Sequence, residues 1–159
     1  MISLTKKRDQ QGFTIVELLI VIVVIGILAA LVVTTYAGIQ GKARDSKRKT
    51  DIAAIQTQIE AYYAEENHYP SYANLNSSTW RAVEANHLKS LKEDTLTDPS
   101  GTAATLKSGA AAASDKQYGY QPVNDAGTSC EADATTCTGY TLSAYLEGSK
   151  EVYSKTALD

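Results

Sequence analysis

A single carboxylate, Glu17, stands inside an otherwise uncharged run from Phe13 to Gly38, FTIVELLIVIVVIGILAALVVTTYAG. The chemistry open to it is electrostatic. An ionised side chain in a membrane helix costs about 2.5 to 3.5 kcal/mol at bilayer centre and less toward the edge, so by default it asks for a partner. At the start of a helix it also complements the positive end of the helix dipole, which needs no partner. The other reactive side chains are few. Cys130 and Cys137 are spaced poorly for zinc, which favours tight Cys-x-x-Cys pairs. An even cysteine count reads as a disulfide, closing a short loop for about 2.5 kcal/mol, with free thiols as the alternative in a reducing setting. His68 and His87 are far apart and lack metal-ligand spacing, and read as surface or helix-end residues. Glu65-Glu66 and Glu93-Asp94 are adjacent pairs that fall on different helix faces, as solvated surface does. With no phosphate-cradling glycine loop and no clustered oxygen set for calcium, the expectation is no catalysis, no cofactor and no metal site.

The elements that position Glu17 follow from hydropathy. From Leu18 to Val33 every residue except Gly26 is aliphatic. A bilayer core of about 30 Å needs roughly 20 helical residues, and 13–36 supplies them with Thr34, Thr35 and Tyr36 at the interface. This reads as one transmembrane helix. A cleaved secretory signal is the rival, but its apolar region spans only about 7 to 15 residues. Beyond the span, 37–67 continues as an amphipathic helix: Ile39, Ile52, Ile55, Ile59, Tyr62 and Tyr63 recur near three, four and seven. Asn67 and Tyr69-Pro70 mark the stop, because the residue before a proline is pushed out of the α region.

The remainder, 68–159, is a small head. Apolar residues make up 43% of the 159-residue chain, but the large aliphatics concentrate between Phe13 and Ile59. The head therefore buries little by itself and must lean on the helix or on a covalent staple. Residues 71–98 fit one or two short helices with Trp80 as a core or lid residue. Asp98-Pro99-Ser100-Gly101 signals a turn, and Thr102 to Ser114 reads as a variable surface loop. Gln117 to Val123 and Gly139 to Leu146 alternate as strands, with Glu151 to Lys155 as a third. The fold class is α+β: a long N-terminal helix packed on a small C-terminal antiparallel sheet.

Lys6-Lys7-Arg8 followed by Gly12-Phe13-Thr14-Ile15-Val16-Glu17-Leu18-Leu19-Ile20-Val21 resembles the class III signal of type IV prepilins and of the related pseudopilins of type II secretion. The resemblance is specific over Gly12 to Ala30 and extends to the layout of the head. It implies that 1–12 is a leader removed by a prepilin peptidase, which cuts between Gly12 and Phe13 and methylates the new terminus. It implies that Glu17 of one subunit neutralises the Phe13 amine of a neighbour during assembly, and that the partners are other copies of the chain, an assembly ATPase and a platform protein. The implied location is the cytoplasmic membrane first and a cell-surface filament afterwards. Many members carry a proline where this chain has Thr34, so loosening of the helix there rests on Gly26 and on β-branched Val32 to Thr35.

Charge raises one conflict. Five basic residues, Lys42, Arg44, Lys47, Arg48 and Lys49, follow the span and three precede it, which by the positive-inside rule leaves the head in the cytoplasm. The signal resemblance and the cysteine pair place it outside, and that reading is taken. The basic run reads as a solvated helix face partly offset by Asp45 and Asp51, with subunit salt bridges or DNA contact as the sharper alternatives. A net charge of −3 disfavours general nucleic-acid binding. Three functions follow: a filament subunit; a minor pilin or pseudopilin acting in adhesion, DNA uptake or secretion through DNA or host-surface contact; or an anchored domain that never polymerises.

Overall fold

A computed structural model of the chain describes residues 12–84, 88, 90–132 and 136–158; Lys6, Lys7 and Arg8, expected in a leader, and His87 lie outside them. The chain divides into two compact units, residues 1–39 and 40–159. Helix α1 (Ile15–Glu66) contributes to both and runs without a break through Gly26 and position 34. In the first unit its side chains are exposed on every face, from Ile15 at 86% through Ile20 at 56% to Val33 at 68%. A helix apolar all round belongs in lipid or among other helices.

In the second unit α1 buries a narrow stripe. Arg48, Ile52, Ile55, Ile59 and Tyr62 recur at alternating spacings of four and three, and all are buried. Ile39, expected on that stripe, is exposed, and Tyr63 instead stacks on Tyr69 with ring centroids 4.4 Å apart. The helix ends as its sequence indicates. Asn67 takes a left-handed φ of 56° and its N–H returns to the Tyr63 carbonyl at 2.8 Å, a C-terminal cap that asparagine tolerates. Among the described residues three short helices follow, α2 (Tyr72–Asn76), α3 (Ser78–Ala82) and α4 (Glu93–Leu96). They bring Leu75, Leu88, Leu91 and Leu96 to the core, with Trp80 half-buried against Tyr62.

The sheet has the order β1-β2-β3-β4, from β1 (Lys107–Ser108), β2 (Gly119–Val123), β3 (Gly139–Leu146) and β4 (Glu151–Thr156). β2, β3 and β4 pair antiparallel, with Gly119 opposite Ser143 and Leu146 opposite Glu151. The three expected strands form the antiparallel sheet, and the stretch read as a surface loop adds a fourth, β1, parallel to β2, which makes the whole sheet mixed. Two residues carry no alternation to read. What holds β1 is remote: Leu106 N–H donates to Asn76 Oδ1 at 2.6 Å, and Tyr72 O–H donates to the Leu106 carbonyl at 3.1 Å. Gly119 is where that loop crosses the sheet, since a Cβ there would collide with Gly109 O, Ala111 N and Ser143 Oγ.

The head uses tyrosine where another protein would use phenylalanine; the chain has ten Tyr and one Phe. A buried tyrosine packs its ring and needs a partner for its hydroxyl. Tyr118 O–H donates to Asp51 on α1 at 2.7 Å, Tyr120 O–H to the Pro70 carbonyl at 2.7 Å, and Tyr140 O–H to Glu60 on α1 at 2.6 Å. These bonds fix the register of helix on sheet, which packing of small apolar side chains alone would specify weakly. Ile55→Ala, which opens the stripe at a fully buried position, is expected to destabilise the head by about 2 to 5 kcal/mol. Ile39→Ala, at an exposed position, should change stability by less than about 0.5 kcal/mol. Chemical unfolding of the detergent-solubilised chain, followed by the fluorescence of its one tryptophan, separates the two.

Candidate functional site

The N-terminal site begins with the local demand of the helix end. The first N–H groups of any helix lack partners within it, and a membrane interior supplies no water to satisfy them. Thr14 and Glu17 answer that demand reciprocally. Thr14 N–H and O–H donate to Glu17 Oε2 at 2.8 and 2.7 Å, while Thr14 Oγ accepts from the Glu17 N–H at 3.2 Å. This is a capping box, T-x-x-E, written in the sequence as Thr14-Ile15-Val16-Glu17. Oε2 is engaged by Thr14. Gly12 and Phe13 precede the helix, exposed and without helical structure.

A second cluster lies in the 40–159 unit and ties α1 to two turns. Arg48 is 3% exposed. Its Nε and Nη2 meet Asp98 Oδ2 and Oδ1 at 2.7 and 2.9 Å in a bidentate pair, the geometry that makes arginine suitable for buried ion pairs. Nη1 donates to Asp45 Oδ1 at 2.9 Å, and Nη2 also donates to Glu147 Oε1 at 2.7 Å and to Ser100 Oγ at 3.0 Å. Arg44 Nη2 donates to Glu147 Oε2 at 2.6 Å. Asp45 accepts the Glu147 and Gly148 N–H groups of the β3–β4 turn at 2.9 and 2.8 Å. Lys47 pairs with Asp51 at 3.1 Å.

The basic run is thus a solvated face only in part: Lys42 and Lys49 are exposed, Asp45 and Asp51 offset Arg48 and Lys47 as expected, and Arg48 is buried. Arg44, Lys47 and Arg48 are held by carboxylates of the same chain, two of which, Asp98 and Glu147, lie far away in sequence. Charge balance sets the acid-base properties of the cluster. The hydrogen bonds of Arg44 and then Arg48 and Ser100 outweigh burial and hold the Glu147 carboxyl at about 2. Burial works against ionisation of Asp45, but the N–H groups of Gly148 and Glu147 and the Arg48 guanidinium outweigh it and lower its pKa.

Comparison with known proteins meets the N-terminal site directly. Residues 7–33 match the family model described as the prokaryotic N-terminal methylation motif. The chain is type IV pilin-like. Its similarity to curated relatives includes the type II secretion system core protein G of Aeromonas hydrophila, 42% identical over 66 residues, which is 42% of this chain and 46% of that protein. The same protein of Escherichia coli is 42% identical over 62 residues, 39% of this chain and 43% of the relative. The type IV major pilin protein PilA of Myxococcus xanthus is 36% identical over 64 residues, 40% of this chain and 29% of the relative. The pilin-like chain thus spans less than half the length of these relatives. No solved structure matches it.

The remaining expected site residues of the pilin-like chain fall as follows. Cys130 and Cys137 are both buried, between β2 and β3. Their carbonyls accept from the Tyr72 and Tyr69 N–H groups at 3.1 and 2.9 Å, so the cysteine loop clamps the segment that leaves α1. His68 sits at the helix end, its Nδ1 2.9 Å from the Glu66 carbonyl. Among the described residues no group of three or more His, Cys, Asp or Glu side chains is placed to hold a metal. Sequence reasoning missed Thr14, although T-x-x-E before an apolar run is a legible signal. It also missed Asp98 and Glu147 as partners of Arg48, for which no local signal exists.

Removing one member of a buried ion pair leaves a buried charge uncompensated, so Arg48→Ala is expected to cost about 3 to 5 kcal/mol in chemical unfolding. The Glu147 carboxyl has a lower pKa folded than unfolded, so its contribution is present above the ordinary value of 4.5 and is lost as pH falls toward about 2. An acid titration of the folded head should therefore show a shallower loss of stability below pH 4.5 in Glu147→Gln than in the parent.

Proposed function

We propose that the chain is a subunit of a helical filament of the pilus or type II secretion kind, with no catalysis of its own. The observation that carries this is the exposure of every face of an apolar helix over Phe13 to Val33, interrupted by one carboxylate a turn from its start. Such a surface needs lipid first and other helices afterwards. The methylation motif and this helix, one long and apolar enough to cross a membrane, point to a membrane-anchored chain. In this reading a prepilin peptidase cuts between Gly12 and Phe13 and methylates Phe13. The new amine then pairs with Glu17 of an adjoining subunit, displacing the Thr14 bonds that satisfy the carboxylate before assembly. Leaving either charge unpaired in a low-dielectric bundle is costly, which makes the pair a register signal.

The chain's likeness to core protein G supports a second reading, a pseudopilin of a type II secretion filament. A DNA- or surface-contacting minor pilin loses support from the engagement of Arg44, Lys47 and Arg48 within the head. The head carries a disulfide between Cys130 and Cys137 in this reading, because export exposes it to oxidising conditions.

Mass spectrometry of filaments sheared from cells expressing the chain tests the proposal. The expected N-terminus is methylated Phe13, and Glu17→Val is expected to be processed yet absent from the filament fraction. An intact Met1 terminus confined to membranes would contradict filament assembly. Before reduction the same protein should be lighter by two hydrogens than after it; an unchanged mass would refute the disulfide.

A further inference from the structure

Two arginines are buried in the head, and they keep different company. Arg48 turns Nε and Nη2, the donors on one edge of its guanidinium, to Asp98 in the bidentate pair described above. Arg81, at the end of α3, is 4% exposed. Among the described residues it makes one hydrogen bond, from Nη1 to the Leu75 carbonyl at 2.6 Å, and no ion pair. The Nε–Nη2 edge that carries a carboxylate in Arg48 therefore has no acceptor on it in Arg81 among those residues. No side-chain nitrogen or oxygen that is sealed from solvent lacks a partner there, so this edge opens onto the cavity of about 370 Å3 that Arg81 lines. Leu88 and Leu91 wall the cavity, drawn together by the Leu91 N–H, which donates to the Leu88 carbonyl at 2.9 Å. At its mouth Lys92 and Glu93 are exposed and offset each other in charge. The charge that remains inside is that of Arg81.

We propose that this cavity binds a small aliphatic carboxylate, with its two oxygens on Arg81 Nε and Nη2 and its apolar body against Leu88 and Leu91. A guanidinium withdrawn from water loses hydration that one neutral carbonyl does not replace. Burial pulls the Arg81 pKa down, and the charge of Glu93, which forms no ion pair with it, does not restore it. A carboxylate in the cavity supplies the missing acceptors in the planar, bidentate geometry that arginine favours. The bond from Nη1 to Leu75 fixes the plane of the fork beforehand, so little ordering is left to oppose binding. One uncompensated positive charge calls for one negative charge, which suits a carboxylate better than a phosphate dianion. The apolar walls and the volume suit a small organic molecule. All of these residues lie within the 40–159 unit, so the site is independent of how that unit is anchored and of whether the chain polymerises. It gives the head a binding role besides assembly.

Nuclear magnetic resonance of the full chain in detergent, carrying isotopically labelled arginine, reads the guanidinium directly. The chain has four arginines, and the Arg81 Nε–H signal is the one absent from Arg81→Lys; contact with leucine methyl groups identifies the same signal if that variant does not fold. Isocaproate is expected to move it saturably at concentrations that leave the Arg44 and Arg48 signals in place. The acid should bind about tenfold or more tightly than isocaproamide, which has the same body and no charge. Lys92→Gln and Glu93→Gln alter exposed side chains at the mouth. The first is expected to weaken and the second to strengthen binding, each by about two- to fivefold. A signal that stays still, or that moves equally with the amide, would overturn the site. So would a shift shared by all the arginines, which is a general salt effect. Inorganic phosphate binding as tightly as the acid would overturn the carboxylate assignment.

Discussion

A helix apolar on every face is the constraint from which the rest follows. Between Leu18 and Val33 the chain offers water nothing but aliphatic side chains and Gly26, and burying one large aliphatic side chain is worth about 1.5 to 3 kcal/mol. More than a dozen of them in a row make the solvated state of this segment inaccessible. Under the proposed function it lies in a bilayer first and in a bundle of its own kind afterwards. The reciprocal Thr14–Glu17 cap belongs to the same constraint, since an uncapped helix end and a bare carboxylate are both costly where water is scarce.

The head answers a different problem, that of a small core. Its apolar residues are modest in number, and much of the specificity comes from polar groups that are buried and fully engaged. The hydroxyls of Tyr118, just before β2, and of Tyr140 on β3 reach Asp51 and Glu60 on α1. Arg48 gathers Asp45, Asp98 and Glu147, so that α1, the turn after α4 and the β3–β4 turn meet at one guanidinium. Networks of this kind add little net stability over an apolar core of equal volume, but a partly formed one is strongly disfavoured. They select one arrangement of helix and sheet. Gly148 reflects the same closeness, since a Cβ there would stand 2.9 Å from Asp45 Oδ2.

What could be read from the sequence was what repeats locally. The helix, its stop at Asn67, the stripe from Ile52 to Tyr62 and the strands β2, β3 and β4 all announce themselves through spacing or turn chemistry. The parallel strand β1 did not, because two residues carry no period and Asn76, which holds the preceding Leu106, lies thirty residues away. The basic run was legible in part: its compensation by Asp45 and Asp51, at helical spacing, is found. The further carboxylates Asp98 and Glu147 are set by the tertiary fold, and partners that remote leave no signal in one dimension. Arg48 occupies a core position of the stripe that also holds Ile52 and Ile55, and periodicity alone would have assigned it inward. Glu17 stood out at once, yet its bond to Thr14 was overlooked in favour of a partner in another subunit.

The central claim is that the 13–36 helix is an assembly surface. Cryo-electron microscopy of filaments released from cells expressing the chain reads this directly. The account predicts helices beginning at Phe13 bundled along the filament axis, with Glu17 of each subunit beside the terminal amine of another. Filaments in which this segment faces solvent, or in which subunits join only through their heads, would contradict it.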